Sequence, residues 1–109
     1  MLENIDLSRK IGKEEYKKGI DGLRLKLAAL QRRLTELKIP VILVFEGLSA
    51  AGKGTLINEL ILPMDPRGFQ VISSGAPNEE ERLRPFLWRF WTRTPAGGWQ
   101  AIFDRSWYR

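Results

Sequence analysis

The stretch VFEGLSAAGKGT, Val44 to Thr55, sets five glycines and alanines around one lysine, directly after an apolar run. Gly47, Gly52 and Lys53 fit G-x-x-x-x-G-K, the phosphate-binding loop also called the P-loop or Walker A pattern. Glycines let the backbone turn so that successive N–H groups point inward at phosphate oxygens. A helix starting near Gly52 adds its positive end. Lys53 supplies a full charge for the terminal phosphates, and the small side chains of Ser49, Ala50 and Ala51 leave room for the anion. The hydroxyl that usually follows the lysine, and binds magnesium there, is replaced by Gly54. It comes one residue later, at Thr55, which enters as a displaced metal-ligand candidate.

A second group of chemical residues closes the chain, in AIFDRSWYR. An acid directly after an apolar run is where a strand would deliver a carboxylate beside bound phosphates. Asp104 would hold Mg²⁺ there, directly or through water. Arg105 follows at once and can neutralise charge on a transferring phosphoryl group. Composition narrows the chemistry further. The chain has no cysteine and no histidine, which removes disulfides, the usual zinc ligands and histidine acid–base catalysis. Any metal must be oxygen-bound, which points to magnesium, and the cytoplasm is the default compartment.

These residues need a frame. Its 109 residues suffice for one modest core. Residues 1–12 read as a loose polar lead-in without a signal-peptide core, and no apolar run is long enough to span a membrane. From Glu14 to Lys38 leucines at 23, 27, 30, 34 and 37 mark one helical stripe, expected to pack against its own domain. Pro40 ends that helix. Val41 to Phe45 reads as a strand buried on both faces. A helix follows the loop and stops at Pro63, DPRG makes a turn, and Phe69 to Ser73 is a second strand. Asn78 with Glu81 forms a capping box and starts a helix expected to run to about Thr92, with Pro85 kinking it or marking a false start. Trp99 to Asp104 is the third strand. Strands alternating with helices imply an α/β fold with a parallel sheet.

Eighteen Lys and Arg against thirteen Asp and Glu give a net charge of +5, which favours anionic partners. Arg82, Arg84 and Arg89 interleave with Trp88 and Trp91, a pattern that suits single-stranded nucleic acid. A phosphate chain fits better, because it shares its anion with the loop. Neither a nucleic acid nor a membrane is expected as partner.

Taken together, FEGLSAAGKGT, MDPRGFQV, FLWRFW and FDRSWYR resemble the polyphosphate kinase 2 family, from about Glu15 onward. The resemblance implies a three-layer P-loop kinase core of the thymidylate-kinase-like type. Its parallel sheet would use strands at about 41–46, 69–73 and 99–104 behind a long N-terminal amphipathic helix. It implies Mg²⁺-dependent phosphoryl transfer between inorganic polyphosphate and a nucleotide, with AMP, ADP and GDP all open as acceptors. By position, Lys53 is the loop lysine, Asp104 the metal-organising acid and Arg105 its basic neighbour. Arg89 matches an arginine usual in the helix after the second strand.

Two departures shape the expectation. Most members of the family carry Asp where this chain has Ser49. The family also continues past a third strand with further strands and a basic helical lid. Residues 13–109 are therefore expected to be the N-terminal portion of one kinase domain, inactive alone. The alternatives are an ATP-using P-loop nucleotide kinase or NTPase, and the non-catalytic half of a tandem kinase. Homo-oligomerisation is left open.

Overall fold

A computed structural model describes residues 2–108; Met1, the first residue of the lead-in, and Arg109, the last of the FDRSWYR string, lie outside the described residues. After a 3-10 turn at Leu2–Asn4 come α1 (Lys13–Leu37), β1 (Val41–Phe45), α2 (Lys53–Ile61), β2 (Phe69–Ser73), two short helices, α3 (Glu79–Arg82) and α4 (Trp88–Trp91), and β3 (Gln100–Asp104). Both sheet pairings are parallel, in the order β1-β3-β2.

β3 is therefore the central strand, and its first four residues are all buried. This differs from the expectation for β1, which among the described residues pairs on one side only and is half-buried, with Ile42 exposed. Both runs are apolar enough for the centre. The β1-β3-β2 order, a product of pairing across the chain, decides between them.

Side chains alternate across β3. Ala101 and Phe103 face a cluster with Phe90 of α4, joined by Val44, Ile72, Leu87 and Trp107. Phe90, Phe103 and Trp107 meet at tilted and edge-on angles with centroids 5.7 to 6.4 Å apart. Such ring pairs add about 0.5–1.5 kcal/mol each beyond area burial. On the other face α2 packs against β3, and Gln100 reaches Gln31 of α1.

That last contact corrects the leucine stripe. Leu23, Leu30 and Leu37 stay 51–54% exposed, whereas Gln31 is only 5% exposed. α1 turns toward the domain a face about 100° round from the Leu23, Leu30 and Leu37 row, carrying Arg24, Gln31 and Thr35, with Leu27 and Leu34 half-buried between the two. Gln31 donates to the Asp65 carbonyl at 2.9 Å and to Gln100 Oε1 at 3.1 Å, and accepts from the Asp65 N–H at 2.6 Å. Arg24 pairs with Glu59 of α2 at 2.8 Å, and the Thr35 hydroxyl reaches the Gly98 carbonyl before β3 at 3.4 Å. A polar latch thus attaches α1, because the base of the sheet presents backbone groups that need partners. Each left unpaired would cost about 1–3 kcal/mol.

The helix expected from Asn78 to Thr92 is broken. The capping box forms as read, with Glu81 N–H donating to Asn78 Oδ1 at 2.8 Å and Asn78 N–H to Glu81 Oε2 at 2.9 Å. The helix stops after Arg82, and a new one begins at Trp88. Pro85 explains the break: it has no N–H to continue the ladder and restricts the residue before it.

Candidate functional site

β1 and β3 pair with Phe45 opposite Asp104. The chain thus leaves β1 through Glu46 and Gly47 at the level where Asp104 ends β3. This is the C-terminal edge of a parallel sheet, where open α/β folds hold ligands.

The loop then folds as its glycines require. Gly47 has φ +156° and Gly52 φ +88°, both unfavourable for a residue with a Cβ. Between them the Ala51 N–H closes a turn on the Leu48 carbonyl at 2.9 Å, with Ser49 and Ala50 exposed at its tip. Gly52 caps α2 without a side-chain acceptor, and no carboxylate lies in the first turn. The N–H groups of Lys53, Gly54 and Thr55 therefore have no helical acceptor and suit an anion. The Lys53 ammonium bends back over its own loop, donating to the Gly47 carbonyl at 2.7 Å and the Leu48 carbonyl at 3.3 Å.

Asp104 is partly buried, and its Oδ1 is fully shielded with no hydrogen-bond partner among the described residues. An unpaired carboxylate oxygen beside an anion-accepting loop suits a magnesium ion, which takes one or two carboxylates and fills its other positions with water and substrate phosphates. Thr55 lies exposed in the first turn of α2, and no hydrogen bond among the described residues ties it to Asp104. No cluster of three or more His, Cys, Asp or Glu that could hold a metal occurs among the described residues.

Arg105 takes a left-handed backbone, φ +68°. Its N–H donates to the Phe45 carbonyl at 3.0 Å, and its carbonyl accepts from Ser74 Oγ at 2.9 Å. Arg89 points to the neighbouring strand end. It donates to the Gly75 carbonyl at 2.8 Å and lies 3.6 Å from Glu81. A cavity of about 420 Å³ there is lined by Arg89, Phe86, Ser74 and Ser106 among others, so Arg89 shares a concavity with the residue after Arg105. Arg84 leaves this group: it stacks on Trp88 at 5.1 Å and reaches Glu80 at 3.8 Å. The arginines of 82–89 therefore do not form one outward stripe.

Sequence reasoning missed three supports. Glu46, directly before the loop, accepts from Ser106 N–H at 2.7 Å and Ser106 Oγ at 2.6 Å. Ser74 holds Arg105 from the β2 side. Trp107 anchors the segment in the aromatic cluster. Position alone could have flagged Glu46 and Ser74, each being the first residue after a strand that ends at the site.

No helix among the described residues is long and apolar enough to cross a membrane. The family model for polyphosphate kinase 2 matches residues 10–109. A polyphosphate:AMP phosphotransferase of Pseudomonas aeruginosa is 41% identical over 99% of this chain, which spans 22% of that protein. An ADP-polyphosphate phosphotransferase of Rhizobium meliloti is 37% identical over 85% of this chain and 33% of its own length. The crystal structure of polyphosphate kinase 2 from Arthrobacter aurescens superposes with a TM-score of 0.87 at 31% identity, over 99% of this chain and 41% of that one. With so much of the chain matched, and with the loop and strand-end acid brought to one sheet edge, the chain belongs to the polyphosphate kinase 2 family.

Proposed function

We propose that this chain carries the phosphate-binding half of a site that moves a terminal phosphoryl group between inorganic polyphosphate and a nucleoside mono- or diphosphate. The observation that carries the reading is the pairing of an anion-accepting loop, Gly47 to Thr55, with the unpartnered Asp104 Oδ1 at the same sheet edge. The names of the relatives supply the substrate class, since both act on polyphosphate with an adenine nucleotide.

In this reading one phosphoanhydride P–O bond of the donor breaks and a new one forms to a phosphate oxygen of the acceptor. That oxygen is already ionised near pH 7, so no protein base is needed. The work is positioning and charge neutralisation. The loop N–H groups and Lys53 hold the donor phosphates, with Lys53 exchanging its carbonyl partners for phosphate oxygens. Arg105 and Arg89 offset charge at the strand ends. Asp104, with Thr55 as a weaker candidate, would hold Mg²⁺, which when bound neutralises phosphate charge. The test is polyphosphate-dependent phosphorylation of AMP and ADP by the full-length protein. Lys53→Ala should cost on the order of 10²-fold or more in turnover, and Asp104→Asn should weaken the magnesium dependence and turnover together. Near-normal turnover of the Lys53 variant refutes the loop assignment. An unchanged magnesium titration leaves Asp104 a structural residue.

Ser49 favours one second reading, a half-domain that keeps the fold without catalysis. It lies at the tip of the loop turn with a hydroxyl and no charge, where the resembled family carries Asp.

A further inference from the structure

We infer that Glu46 is a positioning residue for the transfer reaction, acting through the backbone of Arg105 and Ser106. The inference rests on the kinase reading above and adds a residue to it.

The starting point is Arg105. Only two non-glycine residues described have positive φ, Lys38 and Arg105. Lys38 ends α1, a common place for a left-handed residue. Arg105 ends a strand, where no helix end requires that conformation. A left-handed residue with a side chain persists only when its surroundings over-determine it. Here they do so on three sides. The Arg105 N–H is taken by the Phe45 carbonyl at 3.0 Å. The Arg105 carbonyl is taken by Ser74 Oγ at 2.9 Å. The next N–H, that of Ser106, is taken by Glu46 Oε1 at 2.7 Å, and the Ser106 hydroxyl meets the same oxygen at 2.6 Å.

Of these three, Glu46 is the one whose single oxygen takes two donors, the Ser106 N–H and hydroxyl. No salt bridge to Glu46 exists among the described residues. Its polar contacts there are the two to Ser106, which is 3% exposed. Glu46 is also covalently next to Gly47. The clamp therefore fixes the first residue of the phosphate loop to the segment that carries Asp104 and Arg105. Without it, Phe45 and Ser74 still hold Arg105, but the Ser106 N–H loses its Glu46 partner, which loosens the direction of the guanidinium and of Asp104 relative to the loop.

The test compares Glu46→Ala with Glu46→Gln in the full-length protein. Glutamine keeps the Oε1 acceptor and removes the charge; alanine removes both. Glu46→Ala should lower kcat on the order of 10–100-fold, as loss of a supporting partner commonly does, with KM for polyphosphate little changed. Glu46→Gln should recover most of that loss. Ser106→Ala, which keeps the amide bond, should fall between and serves if Glu46→Ala does not fold. Hydrogen exchange at the Ser106 amide, measured without substrate, should be slow in the wild type and Glu46→Gln and fast in Glu46→Ala. Unchanged kcat in a folded Glu46→Ala, or Glu46→Gln as damaging as Ala, overturns the inference while the wild type still transfers phosphate. A wild type that moves no phosphoryl group from polyphosphate refutes the kinase reading itself, and this one with it.

Discussion

Gly52 and Gly54 stand two residues apart, and the same change at each should move stability in opposite directions. At Gly52 the backbone has φ +88° and ψ 19°, and an added Cβ would meet nothing within 4 Å. The cost of Gly52→Ala is therefore conformational, about 1–2 kcal/mol for a left-handed L-residue. The stiffer unfolded chain returns about 0.4–1 kcal/mol of that. A net loss of about 0–1.6 kcal/mol follows, centred on about 0.8. Gly54 lies within α2, also with open space around it and with no positive φ. There alanine should gain about 0.5–1 kcal/mol from helix propensity. Urea unfolding of the two variants beside the wild type measures both. Titration with tripolyphosphate should show weaker binding for Gly52→Ala, whose relaxed loop no longer aims its N–H groups together. A Gly52→Ala protein stabilised as much as Gly54→Ala refutes the left-handed loop. A loss above about 3 kcal/mol, the scale of a packing clash, refutes the open space around it.

Ser49→Asp should tighten the magnesium dependence of transfer if the domain is catalytic. Restoration of transfer to a wild type that binds polyphosphate but does not react would instead establish the non-catalytic half. At the base of the sheet, the Arg67 side chain, donating at 2.9 to 3.3 Å, and then the Arg67 N–H hold the Asp65 carboxyl below its ordinary 3.8. A depressed folded value means that this contribution is complete above 3.8 and is lost as pH falls through the lower folded value. Arg67→Ala should move the Asp65 titration, followed by its carboxyl carbon shift, back up toward 3.8; an unmoved midpoint refutes the pairing.

What the sequence made legible was local. The loop could be read because its glycines answer a backbone demand within nine residues. The Asn78 box could be read because cap and partner are three apart. Parallel α/β order followed from the alternation of elements. Three features resisted, each because it depends on contact across the chain. Periodicity located a leucine stripe on α1, yet the face that turns inward is the one whose glutamine meets the unpaired backbone of Asp65. The apolar run of β1 reads as buried on both faces, yet its burial depends on which strands pair beside it, and among the described residues β3 alone does. The clamp between Glu46 and Ser106 joins residues 60 positions apart. Neither residue looks chemical in its own segment, since a glutamate after a strand and a serine after an arginine are ordinary surface choices. They become a device because β1 and β3 pair in a register that sets Phe45 against Asp104. A slip of one residue in that pairing would turn alternate side chains to the wrong face, separating Glu46 from Ser106 and the loop from its acid. The buried alternation of β3, with Phe103 in the aromatic cluster and Ile102 fully buried, opposes such a slip, so the packing of the core is also what holds the loop beside its acid.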